Sequence, residues 1–169
     1  MAAVPPPSLS PVTDGWRACL EALARLEWQT YRRHTWLAQA ISFSRPLPAP
    51  NAMAHTEWAM AALDAGGFEP AVQLWAAAML ANYVRGTAVG LEEEQQAVQE
   101  TGMTDADWLE AQHERLAAAR AGGRLPMMTR ALLGEGVEFN LDILLEFGLQ
   151  RLLDGLERMV GAGRRPGRR

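Results

Sequence analysis

The sequence predicts an all-α protein, and three observations carry that reading. Ala and Leu are abundant whereas Val, Ile and Thr are sparse, a balance that favours helix over sheet. No alternating run of residues is bounded by hairpin turns. The stretch "LLEFGLQRLLDGLERM", residues 144–159, repeats leucine at helical spacing and places its charges on the remaining positions. With 169 residues, 49 % of them hydrophobic, the chain suffices for one domain with a substantial core.

The elements follow in order. Residues 1–13 read as a disordered Pro-rich leader. A helix is expected from Asp14, which can cap it, to about residue 34. A short helix over 35–43 precedes "SRPLPAPN", whose prolines forbid regular structure. The next helix covers 51–65 and stops at Gly66-Gly67. Pro70 suits the first turn of a long helix reaching residue 100. Thr104 caps a further helix that ends at a glycine pair. A helical turn or two is expected over 126–133, and the last helix over 140–160. Residues 161–169 read as a disordered basic tail. There is no internal repeat.

All 16 basic residues are arginine, which with the alanine content points to a GC-rich bacterial genome. Net charge is −4, and four arginines sit in the terminal "RRPGRR". A body that acidic does not draw nucleic acid by its general field. The tail can touch phosphates, or it is a solvated end. Cys19 is the single cysteine, so no intrachain disulfide forms, and a reducing cytoplasm fits. The N-terminus has neither the basic nor the apolar region of a signal peptide. Residues 71–91 are apolar enough to suggest a membrane span, but Gln73, Asn82 and Arg85 interrupt them. A helix covered on all sides in a water-borne assembly is expected there.

Signals for an enzyme are poor. Glu110-Ala-Gln-His113 has the Glu-x-x-His spacing of di-iron bundles, but such sites need a second copy and two more glutamates. Neither a nucleophile elbow, a phosphate loop nor a zinc spacing is present. No cofactor, metal or catalytic residue is expected. The competing classes are a metal-dependent helical enzyme and a ligand-free interaction module.

The first long helix is more informative. Trp16, Leu20 and Leu23 define its buried face, and Glu27, Tyr31 and His34 continue it. The stripe turns polar halfway. Three readings remain open: this end emerges into solvent, it holds a satisfied buried pair, or it walls a pocket. Trp36, Phe43 and Met53 nearby are side chains that both cores and apolar pockets use.

The helix at 70–100 is apolar nearly all round and carries Gly86-x-x-x-Gly90 with Ala77, Ala81 and Ala88. That fits cover by a second body, or ordinary alanine-rich helix. Gly148 and Gly155 each cost a helix ~0.5–1 kcal/mol relative to alanine. They share one azimuth with Leu145 and Leu152, beside a stripe of Leu149 and Leu156. Two glycines on one seam fit a close helix crossing. Two long helices with spare apolar faces suggest a homodimer through a four-helix bundle, with Ala81, Gly86, Gly90, Leu145, Gly148, Leu149, Leu152, Gly155 and Leu156 at its interface.

The segment "EFGLQRLLDGLERM" resembles the closing helix of tetracycline-repressor-like C-terminal domains. "RRHTWLAQAISFSRPLPAPNAM" resembles that family's "RHPWLA…RP…GPNA" segment, with Thr35 where proline is common, and "ALDAGGFEPAVQLWAAAMLANYVRG" resembles its next helices. The resemblance spans residues 14–160. It implies a multi-helix orthogonal bundle, dimerisation through four helices, and a small effector bound between helices. It further implies a transcriptional regulator, usually a repressor. The family's N-terminal helix-turn-helix has no counterpart, since residues 1–13 are too short for one. DNA binding is therefore expected only through a reader outside this chain. The expected effector is mostly apolar, with a basic or donor group for Glu27. Its pocket is expected among Glu27, Tyr31, His34, Trp36, Phe43, Met53, Met79, Asn82 and Tyr83, with Asn82 on the buried side of the long helix.

Overall fold

The computed structural model describes residues 4–41, 50–112, 114–115, 117–118, 125–132 and 140–163. Among these there is helix and no strand. The helices are α1 (Pro11–Asp14), α2 (Trp16–Arg33), α3 (Leu37–Ala40), α4 (Pro50–Ala65), α5 (Pro70–Thr101), α6 (Asp105–Ala111), α7 (Pro126–Leu132) and α8 (Leu141–Gly163). The basic tail at 164–169 lies outside the described residues.

Local chemistry sets the boundaries. Asp14 does not cap α2. Gly15, at φ +81°, breaks the chain between α1 and α2, and the Asp14 carboxylate accepts from the Ser10 N–H at 2.9 Å. The segment read as a leader carries structure: Leu9 packs on the core and α1 lies against α2 and α4. α4 ends where Gly67 turns left-handed (φ +82°) and Gly66 presses on the Trp16 ring. Phe68 then meets Trp16 edge to face, with ring centroids 5.1 Å apart. Gln73 closes this turn, donating to the Phe68 carbonyl at 2.7 Å and to Asp64 at 3.0 Å. Pro70 takes the first turn of α5, as its fixed φ and missing N–H suit. Thr104 and Asp107 cap α6 reciprocally, Thr104 Oγ1 accepting from the Asp107 N–H and Asp107 from the Thr104 N–H. The Asn140 side chain caps α8 by accepting from the Ile143 N–H at 2.8 Å.

The core is built from α2, α4, α5 and α8, with Leu20, Leu63, Val84, Leu149 and Leu153 fully enclosed. Cys19 is buried there too, and burial raises its thiol pKa. α2 and α5 run in one direction and α4 and α8 in the other. Arg17, Arg25 and Arg32 on α2 meet Asp154, Glu146 and Asp142 on α8 in reverse order. Contacts that recur over the whole of α2 make this pair lengthwise, not crossed. Tyr83 and Gly90 on α5 meet Leu144 and Leu141 on α8, again antiparallel.

No helix among the described residues is long and apolar enough to cross a membrane.

Candidate functional site

Along α2 the buried side begins apolar, with Cys19, Leu20, Leu23 and Ala24, and ends polar. Glu27 and Tyr31 are one turn apart on that side and face α4 and α5. Glu27 is partly buried and answered by His55 of α4, whose Nδ1 lies 3.4 Å from Glu27 Oε1. The other ring nitrogen of His55 lies 3.0 Å from the Val4 carbonyl. Both nitrogens thus face acceptors, which suits the doubly protonated ring. The His55 pKa is raised accordingly, first by the hydrogen bond to Glu27, with burial opposing and the Val4 bond assisting. Tyr31 is buried, and its pKa is pushed up to about 12 by that burial and by the Glu27 charge, while Arg85 of α5 opposes. Its hydroxyl therefore stays protonated at neutral pH.

Arg85 completes the cluster. Its Nε is buried and has no hydrogen-bond partner. Two turns further along α5, Glu92 Oε2 is likewise buried without a partner. Beyond this cluster the helices part into a cleft of about 410 Å³, lined by Arg32–Trp36 and by Glu92, Gln95, Gln96 and Gln99. The Thr35 hydroxyl donates to Gln95 at 2.7 Å and ties the end of α2 to α5. A second cleft of about 780 Å³ shares Arg32, Thr35, Gln95 and Gln99.

The structure thus divides the residues expected at the pocket. Glu27 and Tyr31 lie in the inner cluster. His34 and Trp36 line the outer cleft, both exposed, their rings 6.5 Å apart edge to face. Phe43 lies outside the described residues. Met53 is 60 % exposed at the start of α4. Asn82, expected to be buried, is exposed, and Met79 shares that outer side of α5. Tyr83 points to α8, donating to the carbonyls of Leu144 at 2.6 Å and Leu145 at 3.1 Å. The register of α5 is the reason. Its buried side runs through Gln73, Ala76, Ala77, Leu80, Val84 and Ala88, which turns 79 and 82 outward. His55 and Arg85 had no place among the expected residues. The available signal was Glu27 itself, a carboxylate on a buried stripe that requires a cation.

The residues expected at the dimer interface divide too. Leu145, Leu149 and Leu156 are buried within the protomer, not on its surface. Gly148 is covered by Tyr83, and a β-carbon there would collide with the phenol. At Gly90 a β-carbon would stand 3.1 Å from Leu141. Ala81 and Leu152 are half-buried. Gly86 and Gly155 face open space. Beside them two exposed stripes run along the bundle: Leu74, Trp75 and Met79 on α5, and Leu144, Phe147 and Met159 on α8. Of the lone Glu-x-x-His, Glu110 is exposed and His113 lies outside the described residues.

A family model described as "Tetracyclin repressor-like, C-terminal domain" matches residues 9–160. The chain is 40 % identical over 153 residues to the HTH-type transcriptional repressor DrrR1 of Streptomyces coeruleorubidus, covering 89 % of this chain and 54 % of that protein. It is also 40 % identical over 79 residues to an HTH-type transcriptional regulator of Saccharopolyspora erythraea, 46 % of this chain and 33 % of the other. The chain thus spans about half the length, or less, of these curated relatives.

Proposed function

The chain belongs to the tetracycline-repressor-like C-terminal domain family, and from that premise we propose that it senses a small molecule and dimerises on behalf of a transcriptional repressor. The family is one of regulators and not of enzymes. One observation carries the sensing part: the α2–α4–α5 bundle changes from an apolar core to the Glu27, Tyr31, His55 and Arg85 cluster, and next along α2 and α5 lies a cleft of about 410 Å³ walled by Arg32–Trp36 and by Glu92, Gln95, Gln96 and Gln99. Binding there would favour one spacing of the DNA readers over another, and the readers belong to the part of the relatives that this chain does not span. Such a regulator acts in the bacterial cytoplasm.

The exposed stripes of α5 and α8 support the dimer. Trp75, Met79 and Gly86 follow one another at steps of four and seven, and Leu144, Phe147, Gly155 and Met159 at steps of three and four once the intervening Arg151 is counted. Exposed apolar side chains grouped on one side of each helix are what an interface would cover. Two copies would join four helices, α5 and α8 from each.

Thermal-shift screening of mostly apolar, drug-sized compounds tests the sensing part. A true effector raises the Tm of the parent chain. Tyr31→Leu, in the inner cluster, should lose that gain while remaining folded, whereas Asn82→Leu, on the outer side of α5, should keep it. Retention of the full gain by Tyr31→Leu would move the site elsewhere.

A further inference from the structure

The polar valences around Glu27 are not all equally free. Its own charge is already met by His55, and the second His55 nitrogen is met by Val4. A basic group on the effector, expected from Glu27 alone, would have to displace this pair. What remains open is of the opposite kind. Arg85 Nε is a buried donor without an acceptor, and among the described residues no carboxylate forms an ion pair with Arg85. Tyr31 beside it keeps its proton and can also donate. With His55 protonated, Glu27, His55 and Arg85 sum to one excess positive charge. Glu92 stands roughly 10 Å along α5 from Arg85, at 1.5 Å per residue. It shares its cleft with Arg32, Arg33 and His34, whereas no described side chain accepts a hydrogen bond from Arg85 Nε.

We propose that Arg85, with Tyr31 beside it, selects an effector carrying an acidic oxygen group, so that this site takes mostly apolar anions in preference to neutral or cationic molecules of the same shape. The inference rests on the sensing reading above and adds the charge class of the ligand. A buried guanidinium N–H left without an acceptor opposes folding. Such a residue is understandable where a ligand supplies the missing acceptor.

The test uses two fluorescent probes with one ring system, 1-anilinonaphthalene-8-sulfonate and neutral N-phenyl-1-naphthylamine, titrated into the full chain. The sulfonate should bind at least tenfold more tightly. Arg85→Met should lower its affinity at least tenfold and leave the neutral probe unchanged. Arg85→Lys should recover part of the loss, and Arg158→Met, at an exposed position of α8 outside both clefts, should leave both affinities unchanged. The unliganded Arg85→Met chain should melt at the parent Tm or above. Equal affinity of the two probes for the parent chain overturns the anion preference and leaves the sensing reading standing. So does a preference that Arg158→Met abolishes and Arg85→Met retains. A large fall in Tm for both Arg85→Met and Arg85→Lys makes the guanidinium a structural group and overturns the proposal. If neither probe binds, the anion preference is overturned, and the sensing reading is decided by the compound screen above.

Discussion

Gly148 and Gly155 pose one question in the sequence and receive two answers in the structure. A β-carbon at Gly148 would collide with the Tyr83 phenol, which leans across α8 to reach the Leu144 and Leu145 carbonyls. Gly148 therefore serves a crossing inside the protomer. At Gly155 a β-carbon would meet nothing within 4 Å, so any close approach there comes from outside the protomer. Gly148→Ala should destabilise by about 1–3 kcal/mol, the usual cost of overpacking. Gly155→Ala should be neutral or stabilise by up to about 1 kcal/mol through helix propensity. Urea unfolding at one fixed protein concentration compares them, and equal stability of Gly148→Ala and the parent would refute the close crossing. Spacing alone placed both glycines on one seam. It could not say which partner each one faces, because that depends on a phenol 65 residues away.

The helices themselves were largely legible, since their ends are written in local chemistry: Pro70 at the start of α5, Gly67 after α4, Thr104 before α6 and Asn140 before α8. What joins them was not. The α2–α8 seam of Arg17, Arg25 and Arg32 with Asp154, Glu146 and Asp142 pairs residues over 100 positions apart, where no periodicity reaches. It has a consequence in pH. Hydrogen bonds from Arg32 and then Trp28 lower the Asp142 pKa, from Arg25 the Glu146 pKa, and from Arg17 the Asp154 pKa. Groups with depressed folded values stabilise above their ordinary pKa, so this contribution fades as pH falls below about 4.5. His55 has the opposite sign. Its raised folded value stabilises below about pH 6.5, and that contribution is lost as pH rises through the folded value. The Tm should therefore decline on both sides of a plateau between about pH 4.5 and 6.5. His55→Gln should flatten the alkaline limb and Glu146→Gln should shrink the acid limb. An alkaline limb that survives His55→Gln intact would show that the Glu27–His55–Val4 contacts contribute nothing.

At the scale of the whole molecule, the apolar-to-polar change along α2 was visible in the sequence; Glu27 is paired with His55 and His34 emerges into solvent, while the pocket reading is the proposal made above. The dimer surface was less legible. Leucines at helical spacing occur on both sides of α8, and only packing decides that Leu149 and Leu153 turn inward while Leu144 and Phe147 turn outward. Light scattering at micromolar concentration should report twice the chain mass. Phe147→Glu should give a folded monomer, because it places a charge on the exposed stripe and leaves the core untouched. A monomeric parent chain would remove the four-helix arrangement.

Hydrogen exchange tests the claim of effector sensing most directly. It is recorded on the chain with and without a compound that raises its Tm. Slower exchange is expected in three segments that are remote in sequence and joined only in the fold: the end of α2 from Glu27 to Arg33, the first turns of α4 around His55, and α5 from Arg85 to Glu92. Protection confined to the exposed faces of α5 and α8, with these three segments unchanged, would contradict it.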